Sequence, residues 1–256
     1  MVRVLFIVLL IPVIAFAGGV SGVENPAKVN SVTEPDKVCG VSGLANSCAD
    51  SSCTGFTVCQ NFEETGYDNG ESGDWNTTLN GGTVDEDDTT ATIMRGSQQL
   101  KVLASVGNNT YASNGQGSGD TIWIHVRVKF ADATPSTESS FINVSNGYYA
   151  RIRSDGTIRI RHGTTNLDTS SGYVSDNTMR HFWFKFVKGT GADGEMVMYS
   201  STDGTRGSAV LNGSSGTSTI QPSAIQLREE SGYTGGTFFD QVLVTYDGTE
   251  IGDVCE

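Results

Sequence analysis

Two segments of this 256-residue sequence alternate apolar and polar side chains with a period of two. TIWIHVRVKF (121–130) carries aliphatic residues and Phe130 on one face, and RHFWFKFV (180–187) carries three phenylalanines on one face. The opposite faces of the two segments carry indole and polar side chains: Trp123, His125, Arg127, Lys129, His181, Trp183 and Lys185. A period of two is typical of a β-strand with one face in the core. The two segments therefore predict central strands of a sheet.

Asn-Gly and Asp-Gly pairs separate many of the short alternating segments. Nine such pairs occur, among them the eight that begin at Asn80, Asn114, Asn146, Asp155, Asp193, Asp203, Asn212 and Asp247. They supply the positive-φ positions that tight β-turns require. QQLKVLA, EMVMYS, AIQLRE and TFFDQVLVTY are further strand candidates, and no helical pattern follows residue 20. The sequence predicts an all-β protein with two antiparallel sheets packed as a sandwich.

The segment YYARIRSDGTIRIRH (148–162) is the clearest predicted hairpin. We expect Ile152 to pair with Ile160 across a turn centred on Gly156. That register places Arg151, Arg153, Arg159 and Arg161 on one face, whereas a slip of one residue would mix arginine with isoleucine.

The composition indicates a folded, acidic protein. Its hydrophobic fraction of 37% and its 32 glycines argue against wholesale disorder. Its formal net charge of -13 opposes binding to duplex nucleic acid, which depends on Lys and Arg at the phosphates. We therefore expect no nucleic-acid partner.

The N-terminus has the pattern of a secretory signal. Arg3 precedes an apolar run from Val4 to Phe16, and Ala15-Phe16-Ala17 is a small-x-small cleavage site before Gly18. The run is shorter than the ~20 residues that span a bilayer. We expect residues 1–17 to be removed, no membrane span in the mature chain, and a secreted or cell-surface location.

The five cysteines predict disulfides in an oxidising compartment. Four of them lie within 21 residues of sequence, and the fifth is close to the C-terminus: Cys39, Cys48, Cys53, Cys59 and Cys255. Residues 18–58 lack hydrophobic periodicity and are expected to form a cysteine-bearing extension. A core domain is expected over 59–247, followed by a tail at 248–256. The pairing of the cysteines stays open, and one of the five is expected to be free or intermolecular.

Several segments, taken in order, resemble the concanavalin A-like, laminin-G-like jelly-roll group over roughly Cys59 to Tyr246. They are NFEE, GSQQLKV, TIWIHVRVKF, YYARIRSDGTIRIRH, TMRHFWFKFVKGTGADGEMVMYSSTDGT and TFFDQVLVTYDG. The resemblance implies a two-sheet jelly roll. It also implies a structural Ca²⁺ flanked by Glu63 and Asp240, with two unrelated surface carboxylates as the alternative interpretation.

The catalytic motifs of that group are missing from this sequence. The strand-borne Glu-x-Asp-x-x-Glu of its glucanases is absent, although Glu86–Ala91 approaches it without the last carboxylate. No Gln has His two residues later, as in lyases of the same fold, and Gly-x-Ser-x-Gly is absent. We therefore expect no enzymatic activity.

Two clusters are candidate binding sites. Trp123, His125, His181, Trp183 and Lys185 could form a platform on which sugar rings stack, or could simply cover the sheet. Arg151, Arg153, Arg159 and Arg161 could clamp carboxylate or sulfate groups of an acidic glycan or the acidic surface of a neighbouring subunit, or could pair with local Asp and Glu.

These observations predict a secreted, non-catalytic jelly-roll module that binds a glycan or cell-surface polymer. The alternative hypothesis is a subunit of an extracellular fibre or surface layer, in which copies of the chain assemble as a homo-oligomer through the N-terminal extension. A third hypothesis is a polysaccharide hydrolase or lyase. The Asn-x-Ser/Thr sequons at Asn76, Asn108, Asn143 and Asn212 permit glycosylation.

Overall fold

The structure, a computed structural model, describes residues 55–63, 75–89, 94, 96–105, 107–144, 147–190, 194–215, 221–230 and 235–254. These residues form fifteen strands and no helix, which confirms the all-β prediction. The predicted signal segment lies outside the described residues, as do four of the cysteines: Cys39, Cys48, Cys53 and Cys255.

The strands form two antiparallel sheets. Sheet A has eight strands: seven lie side by side in the order β13-β12-β11-β6-β15-β4-β3, and the eighth, β1, also pairs with β15. Its strands are β1 (Val58–Gln60), β3 (Thr83–Asp87), β4 (Gln99–Leu103), β6 (Thr121–Phe130), β11 (Met179–Val187), β12 (Gly194–Ser201), β13 (Leu211–Ser215) and β15 (Thr237–Thr245).

Sheet B has seven strands in the order β10-β9-β8-β7-β14-β5-β2. Its strands are β2 (Asn76–Thr78), β5 (Asn109–Asn114), β7 (Ser139–Val144), β8 (Tyr148–Ile152), β9 (Thr157–His162), β10 (Thr165–Tyr173) and β14 (Ile225–Glu230). In both sheets, at least half of the hydrogen-bonded neighbours are not consecutive in the chain, which is the crossover pattern of a jelly roll.

The hydrophobic core lies between the two sheets and follows the alternation of the sequence. Phe182, Phe184 and Phe186 of β11 are all buried in it, as are the five apolar residues of β6 that the sequence placed on one face. Phe141 of β7 contributes from sheet B, with its ring centroid 5.1 Å from that of Phe130. Burying one such phenylalanine stabilises the fold by ~1.5–3 kcal/mol, so these strands hold the sandwich together.

A β-bulge in β15 changes which of its residues face the core. Asp240 is opposite Arg127 and Leu243 is opposite His125, so two residues of β15 lie across from one residue of β6. Gln241, at the bulge, has a φ of 44°. Because the bulge inserts an extra residue, Asp240 and Leu243 both point away from the core. It thereby places a carboxylate beside the guanidinium of Arg127.

The predicted hairpin forms between β8 and β9, but its register differs from the prediction by two residues. Ile152 pairs with Ile158, whereas the sequence predicted Ile160. The turn closes early because the Gly156 amide donates to the Arg153 carbonyl at 2.9 Å, with Gly156 at a φ of 76°. A shift of two residues preserves the faces, so the isoleucines remain in the core.

Cys59 of β1 is disulfide-bonded, and it is the one cysteine among the described residues. The described residues include no helix with the length and hydropathy needed to span a membrane.

Candidate functional site

The outer face of sheet A gathers the polar residues that the sequence placed opposite the core. His181 of β11 is opposite Arg127 of β6, and Trp183 is opposite His125. Asp240 of β15 flanks Arg127 on its other side. Each of these five residues is at most 2% exposed. We call this surface, with Trp123 and Tyr199, the histidine–tryptophan face.

The C-terminal segment packs onto this face. Ile251 and Val254 are buried in one cluster with Trp123 and Trp183. The indole Nε1 of Trp183 donates a hydrogen bond to the carbonyl of Gly252 at 3.0 Å. The two indole rings therefore have partners within the chain, and Trp123 is only 4% exposed.

Arg206 fixes the C-terminal segment against the sheet. Its guanidinium carbon lies 4.9 Å from the ring centroids of both Trp123 and Tyr199. Its Nη1 donates to the carbonyl of Ile251 at 2.9 Å. The structure thus contradicts the premise of the predicted sugar platform, because stacking on sugar requires exposed indole faces. Lys185, at the same face, forms an ion pair with Glu195 at 3.2 Å.

The two histidines of this face form a buried pair. Nε2 of His125 lies 3.1 Å from Nδ1 of His181, and the rings stack with centroids 5.3 Å apart. Burial lowers the pKa of His125 well below its usual value, and the charges of His181 and Arg127 lower it further. His125 is therefore neutral at pH 7 and acts as a packed, hydrogen-bonded side chain of the sheet.

The two carboxylates predicted to flank a calcium ion each have a different protein partner. Glu63 accepts hydrogen bonds from the Ser97 amide at 2.8 Å and from the Ser97 hydroxyl at 2.6 Å. Asp240 lies 4.0 Å from the Arg127 guanidinium. Within the described part of the chain, no three His, Cys, Asp or Glu side chains group as metal ligands. Calcium binding stays a prediction.

The outer face of sheet B is partly open to solvent and carries a different set of side chains. The side chains of Arg151, Arg159 and Arg161 are 18–19% exposed, compared with 1% for Arg127 on sheet A. Two tyrosines, an arginine and two amides complete the surface: Tyr111, Tyr149, Arg228, Asn143 and Gln226. We call this surface the arginine–tyrosine face.

Three of the four predicted arginines converge on one carboxylate. Glu138, just before β7, accepts a hydrogen bond from Nη1 of Arg159 at 2.8 Å. It also lies 3.5 Å from Nε of Arg151 and 3.8 Å from Nη1 of Arg161. Arg153 does not join them, because Asp155 binds it at 2.9 Å at the hairpin turn.

Arg228 of β14 lies between the two tyrosines of this face. It is opposite Tyr111 of β5 in the sheet register, and its guanidinium carbon lies 5.7 Å from the ring centroid of Tyr149. Its Nη2 donates to Glu230 at 3.0 Å, and Glu230 also forms an ion pair with Arg151. Burial lowers the pKa of Arg228 and Glu230 acts in the opposite direction.

Two amide side chains extend the site from Arg228 toward β7. Nδ2 of Asn143 donates to Oε1 of Gln226 at 2.7 Å. Asn143 is also opposite Tyr149 in the register of β7 and β8. The sequon at Asn143 is therefore engaged in the sheet, since its side chain is bonded and the residue is 8% exposed. Guanidinium, amide and phenol groups together form a surface that binds carboxylate and hydroxyl groups.

A buried carboxyl lies directly beneath this face. Glu229 of β14 has no exposed surface, and its Oε2 accepts a hydrogen bond from the Ala104 amide at 3.1 Å. Burial raises the pKa of Glu229 to about 8, and the backbone hydrogen bonds and Lys101 oppose that shift. The carboxyl is therefore mainly protonated at pH 7, which removes a negative charge from behind the arginines.

Sequence reasoning found three arginines of the open face and missed its other members. Arg228 and Gln226 lie in AIQLRE, which the alternation identified as a strand without indicating what lies beside it. Glu138 and Asn143 belong to the region of β7, where Phe141 and Ile142 are both buried at a register shift. That irregularity hides the period of two, so the signal for β7 is weak.

Solved structures share this architecture at low sequence identity. An endo-beta-1,4-glucuronan lyase from the fungus Trichoderma reesei matches 71% of this chain and 93% of its own, with 13% identity and a TM-score of 0.53. The cellulose induced protein Cip1 matches 76% and 99%, with 15% identity and a TM-score of 0.55. The chain has a concanavalin A-like jelly-roll fold. The resemblance predicted from the sequence is thereby confirmed.

The alginate lyase Aly36B matches 73% of this chain and 95% of its own, with 11% identity and a TM-score of 0.44. No protein-family model and no curated protein matches the sequence. The function predicted first, a non-catalytic binding module with a fibre subunit as its alternative, is contradicted by this comparison, in which a polysaccharide lyase shares the fold. Of the three functions predicted from the sequence, only the third, a polysaccharide hydrolase or lyase, agrees with this comparison.

Proposed function

We propose that this protein is a polysaccharide lyase that cleaves a uronate-containing chain at the arginine–tyrosine face of sheet B. The observation that carries the proposal is the position of Arg228 between Tyr149 and Tyr111, next to the amides of Asn143 and Gln226. Arg228 is 6% exposed, and the hairpin arginines of the same face are 18–19% exposed. The glucuronan lyase among the structural neighbours supports the choice of a uronate substrate. Export to the compartment that holds such polymers remains a prediction from the N-terminal segment.

Uronate β-elimination needs three functions from the protein. A base removes the proton from the carbon beside the carboxylate, and that electron pair forms a double bond to the neighbouring carbon. The glycosidic C–O bond then breaks, and the leaving oxygen takes a proton. Negative charge develops on the carboxylate during proton removal, so hydrogen-bond donors and a positive charge there stabilise the transition state.

The side chains of the face divide among these functions. Arg228 and the nearby amides of Asn143 and Gln226 bind the uronate carboxylate. Tyr149 transfers the protons, because it is within reach of both Arg228 and Asn143 across the sheet. Tyr111 lines the other side of Arg228. Lyases of this fold resemble one another in a Gln-x-His strand, which this sequence lacks. In this proposal the side-chain amide of Asn143 on β7 takes the place of that glutamine.

The proposal is tested with the full chain on polyglucuronate and on alginate. We expect ultraviolet absorbance from the new unsaturated uronate ends to rise with time. Arg228→Gln should abolish this rise and Tyr149→Phe should slow it about 10²-fold or more, since positioned proton transfer contributes on that scale.

Two outcomes would overturn the proposal. New reducing ends without ultraviolet absorbance would indicate hydrolysis instead of elimination. A folded wild-type protein that forms no unsaturated product on either polymer would exclude the activity on these uronates.

A further inference from the structure

The arginine–tyrosine face carries more positive charge than its own carboxylates neutralise. Within the described part of the chain, four guanidinium groups, those of Arg151, Arg159, Arg161 and Arg228, share two carboxylates, those of Glu138 and Glu230, so two positive charges remain. The whole chain has a net charge of -13, so this excess is local. On an ordinary solvated face, the number of guanidinium groups would be closer to the number of carboxylates that pair with them.

The excess is concentrated around Glu138. Arg151 and Arg159 are directly opposite each other in the register of β8 and β9, an arrangement in which like charges destabilise a sheet. Three guanidinium groups offer more N–H donors than the roughly four acceptor sites of one carboxylate can satisfy. The backbone carbonyls of Glu138 and Thr164 and the Thr169 hydroxyl accept only some of the remaining N–H groups. Nε of Arg161 is buried and has no hydrogen-bond acceptor among the residues that the structure describes. A second, external anion would use these donors and offset the repulsion.

Arg159 and Arg161 lie too far from Arg228 to bind the same substrate carboxylate, whereas Arg151 lies between them, since Glu230 contacts both Arg151 and Arg228. In sheet B, β8 is two strands and β9 is three strands from β14. At ~4.8 Å between neighbouring strands, these separations are ~10 Å and ~14 Å. A carboxylate held by Arg159 and Arg161 therefore belongs to a different sugar of the chain than one held by Arg228.

We propose that Arg151, Arg159 and Arg161 form a second carboxylate-binding site, which selects polymers with carboxylates on several nearby sugars over polymers with isolated uronates. The choice of polyuronate rests on the function proposed above, whereas the anion site stands on the geometry of the cluster. Glu138 occupies the centre of this site in the free protein and competes with the incoming carboxylate.

Binding and cleavage are measured separately to test this inference. Isothermal titration calorimetry with polyglucuronate uses the Tyr149→Phe background, so that the polymer is not consumed. We expect the double variant Arg159→Gln/Arg161→Gln to bind about tenfold more weakly, because it loses two charge-assisted contacts. Glu138→Gln should bind a few-fold more tightly, since it removes the competing carboxylate.

Arg153→Gln is the matched control, because this arginine lies on the same hairpin but is bound by Asp155. It should bind polyglucuronate as the parent does. In the active protein, the double variant should raise KM for polyglucuronate with little change in kcat. The parent and the double variant should have the same affinity for an uncharged β-glucan.

The results separate the two proposals. If wild-type protein cleaves polyglucuronate and the folded double variant keeps the parent KM and affinity, the second site is wrong and the lyase stands. If the double variant binds polyglucuronate more weakly but no variant or wild-type sample forms unsaturated product, the anion site stands and the lyase is wrong. Tighter binding by the double variant, or weaker binding by Glu138→Gln, would also contradict the inference.

Discussion

The two outer faces of the sandwich carry similar kinds of side chain but differ in what packs on them. Both present arginines, aromatic rings and acidic residues on alternate positions of adjacent strands. Arg127 on sheet A is 1% exposed beneath its neighbours, whereas Arg159 on sheet B is 19% exposed. The comparison teaches that residue type and strand register do not identify a functional face until the packing above it is known.

The largest effect is expected where the closed face is truncated. Trp183→Ala should lower the free energy of unfolding by about 3–5 kcal/mol, because it leaves a cavity and removes the hydrogen bond to Gly252. Urea denaturation measures the loss. A loss below 1 kcal/mol would mean that the C-terminal segment contributes little to this face.

Glu229, beneath the open face, makes the stability of the fold decrease at alkaline pH. Its pKa of about 8 in the folded protein exceeds the ordinary 4.5, so the folded state holds more protons between these values and stability falls as pH rises through that range. The loss is on the order of 4 kcal/mol by pH 9. Glu229→Gln should flatten the stability profile between pH 6 and 9, and an unchanged slope in urea melts would contradict the assignment.

His125, in the closed face, makes the stability of the fold decrease at acidic pH. Its folded pKa lies well below the usual 6.5, so the unfolded state binds more protons below that pH and stability is lost as pH falls. His125→Asn should reduce the steepness of this loss relative to wild type in thermal melts between pH 7 and 5. Equal slopes for the two proteins would exclude the histidine as the cause. Together with Glu229, this gives the two sheets opposite pH responses.

Arg206→Ala should have the smallest effect, about 1–2 kcal/mol, since it removes two cation–π contacts and a partly exposed hydrogen bond. Hydrogen exchange should be faster over residues 250–254 and unchanged in β8 and β9. Faster exchange in β8 as well would show that the two faces are energetically coupled.

The sequence predicted the faces of β6 and β11 correctly because long, regular alternation has a single physical meaning in a half-buried strand. It predicted the hairpin register incorrectly because a shift of two residues keeps every side chain on the same face. The turn hydrogen bond from the Gly156 amide to the Arg153 carbonyl, which a hydrophobic pattern does not contain, decides between the two registers.

The open face could be predicted only in part. Arg151, Arg159 and Arg161 share one hairpin and are close in sequence, but Arg228 comes from a strand more than sixty residues later and reaches them through β7. The choice between a sugar platform and tryptophans that simply cover the sheet could not be made from the sequence, because Ile251 and Val254, which pack on Trp123 and Trp183, belong to an irregular segment with no periodic pattern.

The central claim is that chemistry belongs to sheet B and that the closed face of sheet A is structural. Two matched tyrosine substitutions test it most directly. Tyr149→Phe removes a hydroxyl from the open face, and Tyr199→Phe removes one from a ring stacked on Trp123 at 5.8 Å. Initial rates of unsaturated-product formation from polyglucuronate, measured for both folded variants beside wild type, should fall about 10²-fold for Tyr149→Phe and stay unchanged for Tyr199→Phe. Loss of activity in Tyr199→Phe with full activity in Tyr149→Phe would contradict the account.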